Sequence, residues 1–504
     1  MPSFVDLLFE AQIAAQSLAE TFSGRSLRLG VTGLSGAGKT IFVTALVHQL
    51  TTIGTRGMRG KNPLPVFRVH AEGRLTRGFL EPQPDDAVPR FAYEEHLASL
   101  TGPGGEVEGR EWPQSTKRVS ELRLTLEFER AAGLRKGPAE LSIDIVDYPG
   151  EWLLDLPLLE KSFAQWSQET FAAASVPARA AVATPWRDYV AAIDPAGKPG
   201  EELAQRAASL FKTYLSACRA EPISASSLPP GRFLMPGDLE GSPLLTFVPL
   251  PLAEGKGAAP ETFAAMMERR YEAYKAHVVK PFFRDHFARL DRQIVLVDTL
   301  AALNAGPAAL HDLETALVEV LNAFRTGSNS ILTMLFRPKI DKILFAATKA
   351  DHLNHVSHDR LEAILRHLTA RAIARAEGLG AAVDVIALAA VRATHEVKVA
   401  AKTGAFSASS ELPAVVGIPM KGERIGTEIF DGLSEAAIFP GELPQDPEAV
   451  FRGEADIIAM PEDDYRFLRF RPPIPARDAA GNLLPLPHIR LDRALQFLLG
   501  DRLR

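Results

Sequence analysis

Residues 27–40 read Leu27-Arg28-Leu29-Gly30-Val31-Thr32-Gly33-Leu34-Ser35-Gly36-Ala37-Gly38-Lys39-Thr40. Leu27–Thr32 has the pattern of a strand, and the apolar run Ile41–Leu50 that follows Thr40 has the pattern of a helix. Strand, glycine-rich loop and helix in that order open an α/β unit. Gly33–Thr40 satisfies G-x-x-x-x-G-K-[ST] in full. Glycines there let backbone N–H groups turn inward around phosphate oxygens. A lysine at the position of Lys39 reaches the β- and γ-phosphates, and a hydroxyl at that of Thr40 ligates Mg²⁺. The positive end of the following helix faces the same charge. Ser35, Gly36, Ala37, Gly38, Lys39, Thr40 and Ile41 are therefore the candidate phosphate-binding positions.

A phosphate loop alone does not choose between ATP and GTP. Asp147-Tyr148-Pro149-Gly150 follows an apolar run and matches D-x-x-G. In that motif the Asp holds Mg²⁺ through water and the Gly amide senses the γ-phosphate. Thr348-Lys349-Ala350-Asp351 follows a second apolar run and matches [NT]-K-x-D. The Asp351 carboxylate can accept hydrogen bonds from the N1–H and exocyclic amine of guanine, a donor pair that adenine lacks. The Lys349 stem can lie flat on the base. Each motif is weak alone; three in order, each at a strand end, select GTP. Ile294–Asp298 offers a competitor, an apolar strand ending in Asp as in ATPases, but no acidic residue follows Asp298 as a general base.

GTP chemistry also requires a threonine ahead of the Asp147 strand to reach Mg²⁺ and the γ-phosphate. Trp112-Pro113-Gln114-Ser115-Thr116 precedes the alternating stretch Glu121–Glu129, which favours Thr116; Thr76 is the alternative. Trp112 can cover base or ribose, or simply pack. Ser115, Lys117 and His352 are further nucleotide-binding candidates. The position after D-x-x-G, where many small GTPases place a water-orienting Gln, is Glu151. Lys39, Thr116, Gly150 and Glu151 are the catalytic candidates, and Thr40, Thr116 and Asp147 the metal ligands. Arg110 and Arg118 are candidates for charge neutralisation in cis.

Further along, Glu121–Glu129 and Ala139–Val146 read as a hairpin. Residues 51–112 are rich in Gly, Pro and Arg and read mostly as loops. Residues 152–290 carry helical spacing broken by prolines. Strand-helix alternation returns with strands at 294–298, 342–347 and 383–388 and helices near 308–326 and 357–377, which predicts a mostly parallel sheet. The tail mixes short strands such as Ala414–Pro419 with a final helix over Leu491–Leu499. The expected organisation is an N-terminal helix (1–24), an α/β domain in two parts (25–151 and 291–392), a helical insertion (152–290) and a mixed C-terminal region (393–504).

Composition sets the remaining bounds. The 504 residues carry a net charge of −6, so nothing points to bulk nucleic-acid affinity. The single cysteine excludes an intrachain disulfide and a zinc cluster of several thiolates. No apolar run has the 18 or more residues of a membrane-spanning helix. Asp6 and Glu10 interrupt the first apolar positions, unlike a signal peptide. Residues 1–24 read as a helix packed on the body, or as a surface helix for a membrane or partner.

The segments GLSGAGKT, WPQST, DYPG, TKAD and LDRALQFLLGD together resemble the YcjX family of bacterial stress-associated P-loop GTPases, over nearly the whole chain. The resemblance implies a cytoplasmic GTP- and GDP-binding protein with Mg²⁺, an α/β G domain, a large insertion and a regulatory role in stress. Its effector is not revealed by the motifs, a membrane-associated one included. Two positions depart from the general GTPase pattern. Thr348 stands where Asn is usual, and Ala389-Ala390-Val391 replaces [ST]-A, leaving the backbone of Ala390 and Val391 to meet the guanine carbonyl. The expected activity is slow GTP hydrolysis in a nucleotide-dependent switch. The alternatives are an ATP-dependent phosphotransferase with the insertion as lid, carrying Arg179, Arg187, Arg206 and Arg219, and a scaffold that binds GTP without turnover.

Overall fold

A computed structural model of the chain describes residues 26–34, 36–53, 62–102, 109–114, 116–131, 137–220, 223–252, 259–322, 340–401, 410–452 and 467–504. The helix expected over 1–24, and Ser35 and Ser115, lie outside the described residues.

The chain enters the sheet as β1 (Ser26–Gly33) and leaves it into α1 (Lys39–Ile53). β2 (Leu75–Glu81) and α2 (Tyr93–Thr101) follow, then β3 (Ser120–Glu129) and β4 (Pro138–Asp147). A 3-10 helix over Gly150–Glu160 leads to α3 (Phe163–Ala174), α4 (Pro177–Ala191), α5 (Glu201–Arg219) and α6 (Phe263–Tyr274). Next come β5 (Arg292–Val297), α7 (Thr299–Ala305), α8 (Pro307–Asn322), β6 (Lys342–Ala347), α9 (His355–Leu368), α10 (Ala370–Gly378) and β7 (Ala382–Ala387). β8 (His395–Ala401), β9 (Ser410–Gly417), β10 (Ala436–Ile438) and α11 (Leu491–Leu499) complete the labelled elements.

β1–β7 form one sheet in the order β2-β3-β4-β1-β5-β6-β7. β1 pairs in parallel with β4 and β5, and β6 and β7 extend the parallel set. β3 pairs antiparallel with both neighbours. All six residues of β5 are buried, as a strand covered on both faces requires. The β3–β4 hairpin is in register from Ser120↔Asp147 to Glu129↔Pro138. That register sets the residues just before Ser120 beside Asp147, at the end of the sheet where β1 runs into the phosphate loop.

The stretch 51–112, expected to be mostly loops, contains β2, α2 and a short helix at Arg68–Ala71. β2 is an edge strand, paired on one side only, with a register shift between Leu75 and Arg77. Its apolar alternation is correspondingly poor. The helix expected near 357–377 is two helices meeting at Thr369, and α7 precedes the helix expected near 308.

α3–α6 meet in an aromatic core. Trp166 stacks on Tyr271 with ring centroids 5.1 Å apart, and Trp186 on Tyr214 at 5.3 Å. Ser162 caps α3 and Thr262 caps α6 through side-chain oxygens that accept backbone N–H groups. α11 closes the far face of the sheet. Its Leu491, Leu495, Leu498 and Leu499 are buried, each contributing about 1.5–3 kcal/mol. Asp501, just beyond α11, accepts from buried Arg292 of β5 at 2.6 and 2.7 Å and from Lys342 of β6 at 2.7 Å. The tail thus ties together the starts of two strands whose far ends form the site.

Candidate nucleotide site

Three strand ends build the site. After β1 the chain turns through Gly36 and Gly38 at φ +76° and +80°, conformations open to glycine at little cost. Lys39 is buried and its Nζ donates to the Gly33 carbonyl at 2.7 Å, which folds the loop around the ammonium. Beneath the loop, Gln293 Nε2 donates to Thr32 Oγ1 at 2.7 Å, and Thr32 is hydrogen-bonded to Tyr148 at 2.5 Å. This buried chain joins β5, β1 and the D-x-x-G segment.

The predicted metal ligands converge. Thr40 and Thr116 hydroxyls stand 3.2 Å apart, and Thr116 Oγ1 donates to Asp147 Oδ2. Thr76 is exposed on the edge strand β2, so Thr116 is the threonine that reaches this corner. The other oxygen of Asp147, Oδ1, is buried without a hydrogen-bond partner. Burial pushes the Asp147 pKa up to about 6, against the pull of Lys39 and of the Thr116 hydrogen bond. An orphaned carboxylate oxygen beside two hydroxyls fits a hard cation such as Mg²⁺, whose remaining ligands are phosphates and water. Among the described residues no group of three or more His, Cys, Asp or Glu is arranged for a metal.

At the γ-phosphate side, Gly150 packs on Gly33. Glu151 follows, buried, with its Oε1 2.7 Å from Nη2 of Arg219 at the end of α5. The same 3-10 helix is held to the segment after α5. Buried Asp155 accepts from Gly231 N at 2.7 Å and Tyr274 Oη at 2.6 Å, and the Arg232 guanidinium lies 3.1 Å over the Trp152 ring.

At the base end, Thr348 is bonded to the Val297 carbonyl, its N–H at 2.9 Å and its hydroxyl at 3.3 Å. Its side chain therefore braces β5 against β6. Lys349 adopts φ +60°, and its Nζ pairs with Asp298 Oδ2. Asp298 Oδ1 caps α7 by accepting from Ala301 N at 3.1 Å. The Asp expected at a strand end near the site is thus the partner of the base-motif lysine. Asp351 is buried and accepts from Ala393 N at 2.8 Å; burial pushes its pKa up to about 6. Val391 is buried and Ala390 half-buried in the loop that supplies this amide.

Other candidates sit at the margin. His352 is buried edge-on to Phe470 at 5.3 Å, and burial pushes its pKa down to about 3, so the ring is neutral. Trp112 Nε1 donates to the Phe470 carbonyl at 2.6 Å, a packing contact with the C-terminal region. Ile41 is half-buried against the core, and Lys117 and Arg118 are exposed. Arg110 is buried, its Nη1 donating to the Pro472 carbonyl at 2.6 Å. Phe470 thus touches both the segment before Thr116 and the base motif. No local pattern in the sequence announces it, nor the partnership of Arg219 with Glu151. The chain Gln293–Thr32–Tyr148 was equally silent, since nothing in a sequence reports which strands become neighbours.

A mixed sheet of this order, with G-x-x-x-x-G-K-T, D-x-x-G and T-K-x-D at the ends of β1, β4 and β6, is the α/β fold of the P-loop GTPases. The family model described as "YcjX-like family, DUF463" matches residues 27–503. The chain belongs to that family. It is 38% identical over 490 residues, 95% of this chain and 96% of the relative, to a protein named "Ras-like GTPase YcjX" from Escherichia coli (strain K12). It is 34% identical over 502 residues, 97% of each chain, to a protein of the same name from Shewanella oneidensis.

Proposed function

We propose that the chain binds GTP and GDP with Mg²⁺ and slowly hydrolyses GTP to GDP and phosphate, acting as a nucleotide-dependent switch. The observation that carries the reading is the Thr116 hydroxyl, set between Thr40 and Asp147 with an unpartnered Asp147 oxygen beside them. A nucleotide site without a metal would leave that carboxylate oxygen buried and unpaired, at a cost of about 1–3 kcal/mol. The relatives named as Ras-like GTPases support the guanine assignment.

In this reading Ser35, Gly36, Ala37, Gly38, Lys39 and Thr40 cradle the phosphates, and Asp351 reads the base. Ile41, Trp112, Ser115, Lys117, His352, Ala390 and Val391 line its edges. Thr40 and Thr116, with Asp147 through water, would hold the metal, which would supply positive charge against the phosphates. Gly150 presents its amide to the γ-phosphate. Glu151 is a poor substitute for a water-orienting Gln because a carboxylate is repelled by the triphosphate, hence a slow rate. Residues 152–290 act as an insertion in a G domain of 25–151 and 291–392, with 393–504 packed on it. The place of action is the cytoplasm under stress, and the effector is a protein whose identity the motifs do not give. Among the described residues no helix is long and apolar enough to cross a membrane.

The test is the nucleotide carried by the purified protein, together with turnover of GTP and ATP. GTP or GDP in the protein and Mg²⁺-dependent release of phosphate from GTP are expected. Bound ATP, or turnover of ATP at an equal rate, would move the phosphotransferase reading ahead. GTP retained intact would favour the scaffold.

A further inference from the structure

The two arginines that the sequence offers for charge neutralisation are Arg110 and Arg118. Arg110 is buried beneath the C-terminal segment and Arg118 is exposed. Arg219 instead pairs with Glu151, the residue after D-x-x-G. It is the last residue of α5, and its Nη2 lies 2.7 Å from Oε1 of Glu151, which is bonded to the Gly150 that packs on the phosphate loop. Arg219, Glu151, Leu34, Gly36, Asp298 and Lys349 line one cavity of about 980 Å³. Arg219 therefore lines the same cavity as Leu34 and Gly36 of the phosphate loop and the base-motif lysine.

We infer that Arg219 is a catalytic arginine supplied in cis, and that Glu151 holds it beside the γ-phosphate. The inference rests on the GTP-hydrolysis reading above. A guanidinium has five N–H donors in a fixed fork, a geometry that can hold a carboxylate and meet phosphate oxygens at once. The Arg219 side chain keeps 30% of its surface exposed.

In the step itself, a water oxygen forms a bond to the γ-phosphorus and the bond from that phosphorus to the β,γ-bridging oxygen breaks. The bridging oxygen leaves with the electron pair as part of GDP, and the water proton passes to the released phosphate. Negative charge grows on the bridging and γ-oxygens. Guanidinium N–H groups aimed there stabilise it more in the transition state than in bound GTP. Glu151 then has two effects: it places the arginine, and by competing for it keeps the unaided rate low. Because Arg219 belongs to a helix between β4 and β5, any partner that moves α5 sets the rate.

The test compares full-length wild type with Arg219→Ala and Arg219→Lys in single-turnover GTP hydrolysis, GDP titration, and binding of GDP with aluminium fluoride, a mimic of the planar phosphoryl group. An arginine in this role is worth 10³–10⁵ in rate, so Arg219→Ala is expected to slow hydrolysis on the order of 10³-fold. GDP affinity should stay unchanged and the aluminium-fluoride complex should be lost. Lysine keeps the charge without the fork, so that variant should fall between. A folded Arg219→Ala protein with the wild-type rate and an intact aluminium-fluoride complex overturns the inference. Should the alanine variant not fold, the same measurements on Arg219→Lys decide the matter: the wild-type rate with the complex intact overturns the inference. A wild type that binds no guanine nucleotide, or binds without turnover, would instead fail the underlying reading.

Discussion

The Cα of Gly150 is packed on the carbonyl oxygen of Gly33, so closely that a Cβ built on Gly150 would stand 1.7 Å from it. The first residue of the phosphate loop and the last of D-x-x-G are thus in direct contact. The same Gly33 carbonyl accepts from Lys39 Nζ at 2.7 Å. One backbone oxygen joins the phosphate-loop lysine to the D-x-x-G segment.

Gly150→Ala should therefore push the two backbones apart. Forcing a methyl into a packed site costs about 1–3 kcal/mol. Both segments are tethered elsewhere, Tyr148 through Thr32 and Glu151 through Arg219. The strain should be relieved at the loop, so triphosphate affinity falls more than diphosphate affinity. Calorimetric titration with GDP and with a non-hydrolysable GTP analogue measures both; equal affinities to wild type would show that the contact carries no nucleotide information.

Thr116→Ala removes a hydroxyl that donates to Asp147 and stands 3.2 Å from Thr40. A contact made only with triphosphate and metal should cost turnover and leave GDP binding nearly intact. The Mg²⁺ concentration giving half-maximal hydrolysis should rise. If turnover and GDP affinity fall together, or neither changes, Thr116 has no part in sensing the γ-phosphate.

The strand-end motifs were legible because each combines a periodic apolar run with a glycine or charge at a fixed offset. β1, β4 and β6 present those runs; the sheet sets β4 beside β1, with β6 one strand further on across β5. The hairpin register that sets Thr116 beside Asp147 was half legible, from the alternation of Glu121–Glu129. β2 was not, since an edge strand with a register shift keeps little alternation. Arg219 was one of several arginines scattered through helices, and only its long-range ion pair with Glu151 singles it out. Phe470 lies in a stretch without periodicity, and its contacts with Trp112 and His352 are long-range.

Asp351→Asn tests the base. The Ala393 amide already donates to Oδ2 at 2.8 Å. An asparagine can keep that bond with its carbonyl oxygen and turn its amide towards the base. It would then face the guanine donors with donors of its own, leaving buried groups unpaired at about 1–3 kcal/mol, or roughly one to two decades in affinity. Xanthosine triphosphate, with the opposite pattern on that edge, should gain. Competition between GTP, xanthosine triphosphate and ATP on both proteins decides it, and wild-type protein that binds ATP as well as GTP would remove Asp351 from base selection.

Stability should report a second buried carboxylate, away from the phosphates. Glu121 of β3 is fully buried, 3.2 Å from the guanidinium of Arg28 on β1. Burial pushes its pKa up to about 7; Arg28 and Arg123 pull it down, while Asp144 and Asp85 push it further up. An unfolded Glu titrates near 4.3. The folded state therefore binds the proton more tightly than the unfolded chain. Its contribution to stability is fully present below about pH 4.3 and is lost as pH rises through about 7. The loss amounts to about 4 kcal/mol, one pKa unit being about 1.4 kcal/mol. Glu121→Gln has no proton to lose. Whatever fixed offset comes from leaving Arg28 without its carboxylate, the variant should gain on wild type between pH 5 and pH 8 and then level off. Urea unfolding of both proteins across that range gives the difference at each pH, in which the other titrating groups largely cancel. A difference that stays flat from pH 5 to pH 8 would mean that Glu121 is charged throughout, its pairing with Arg28 outweighing burial.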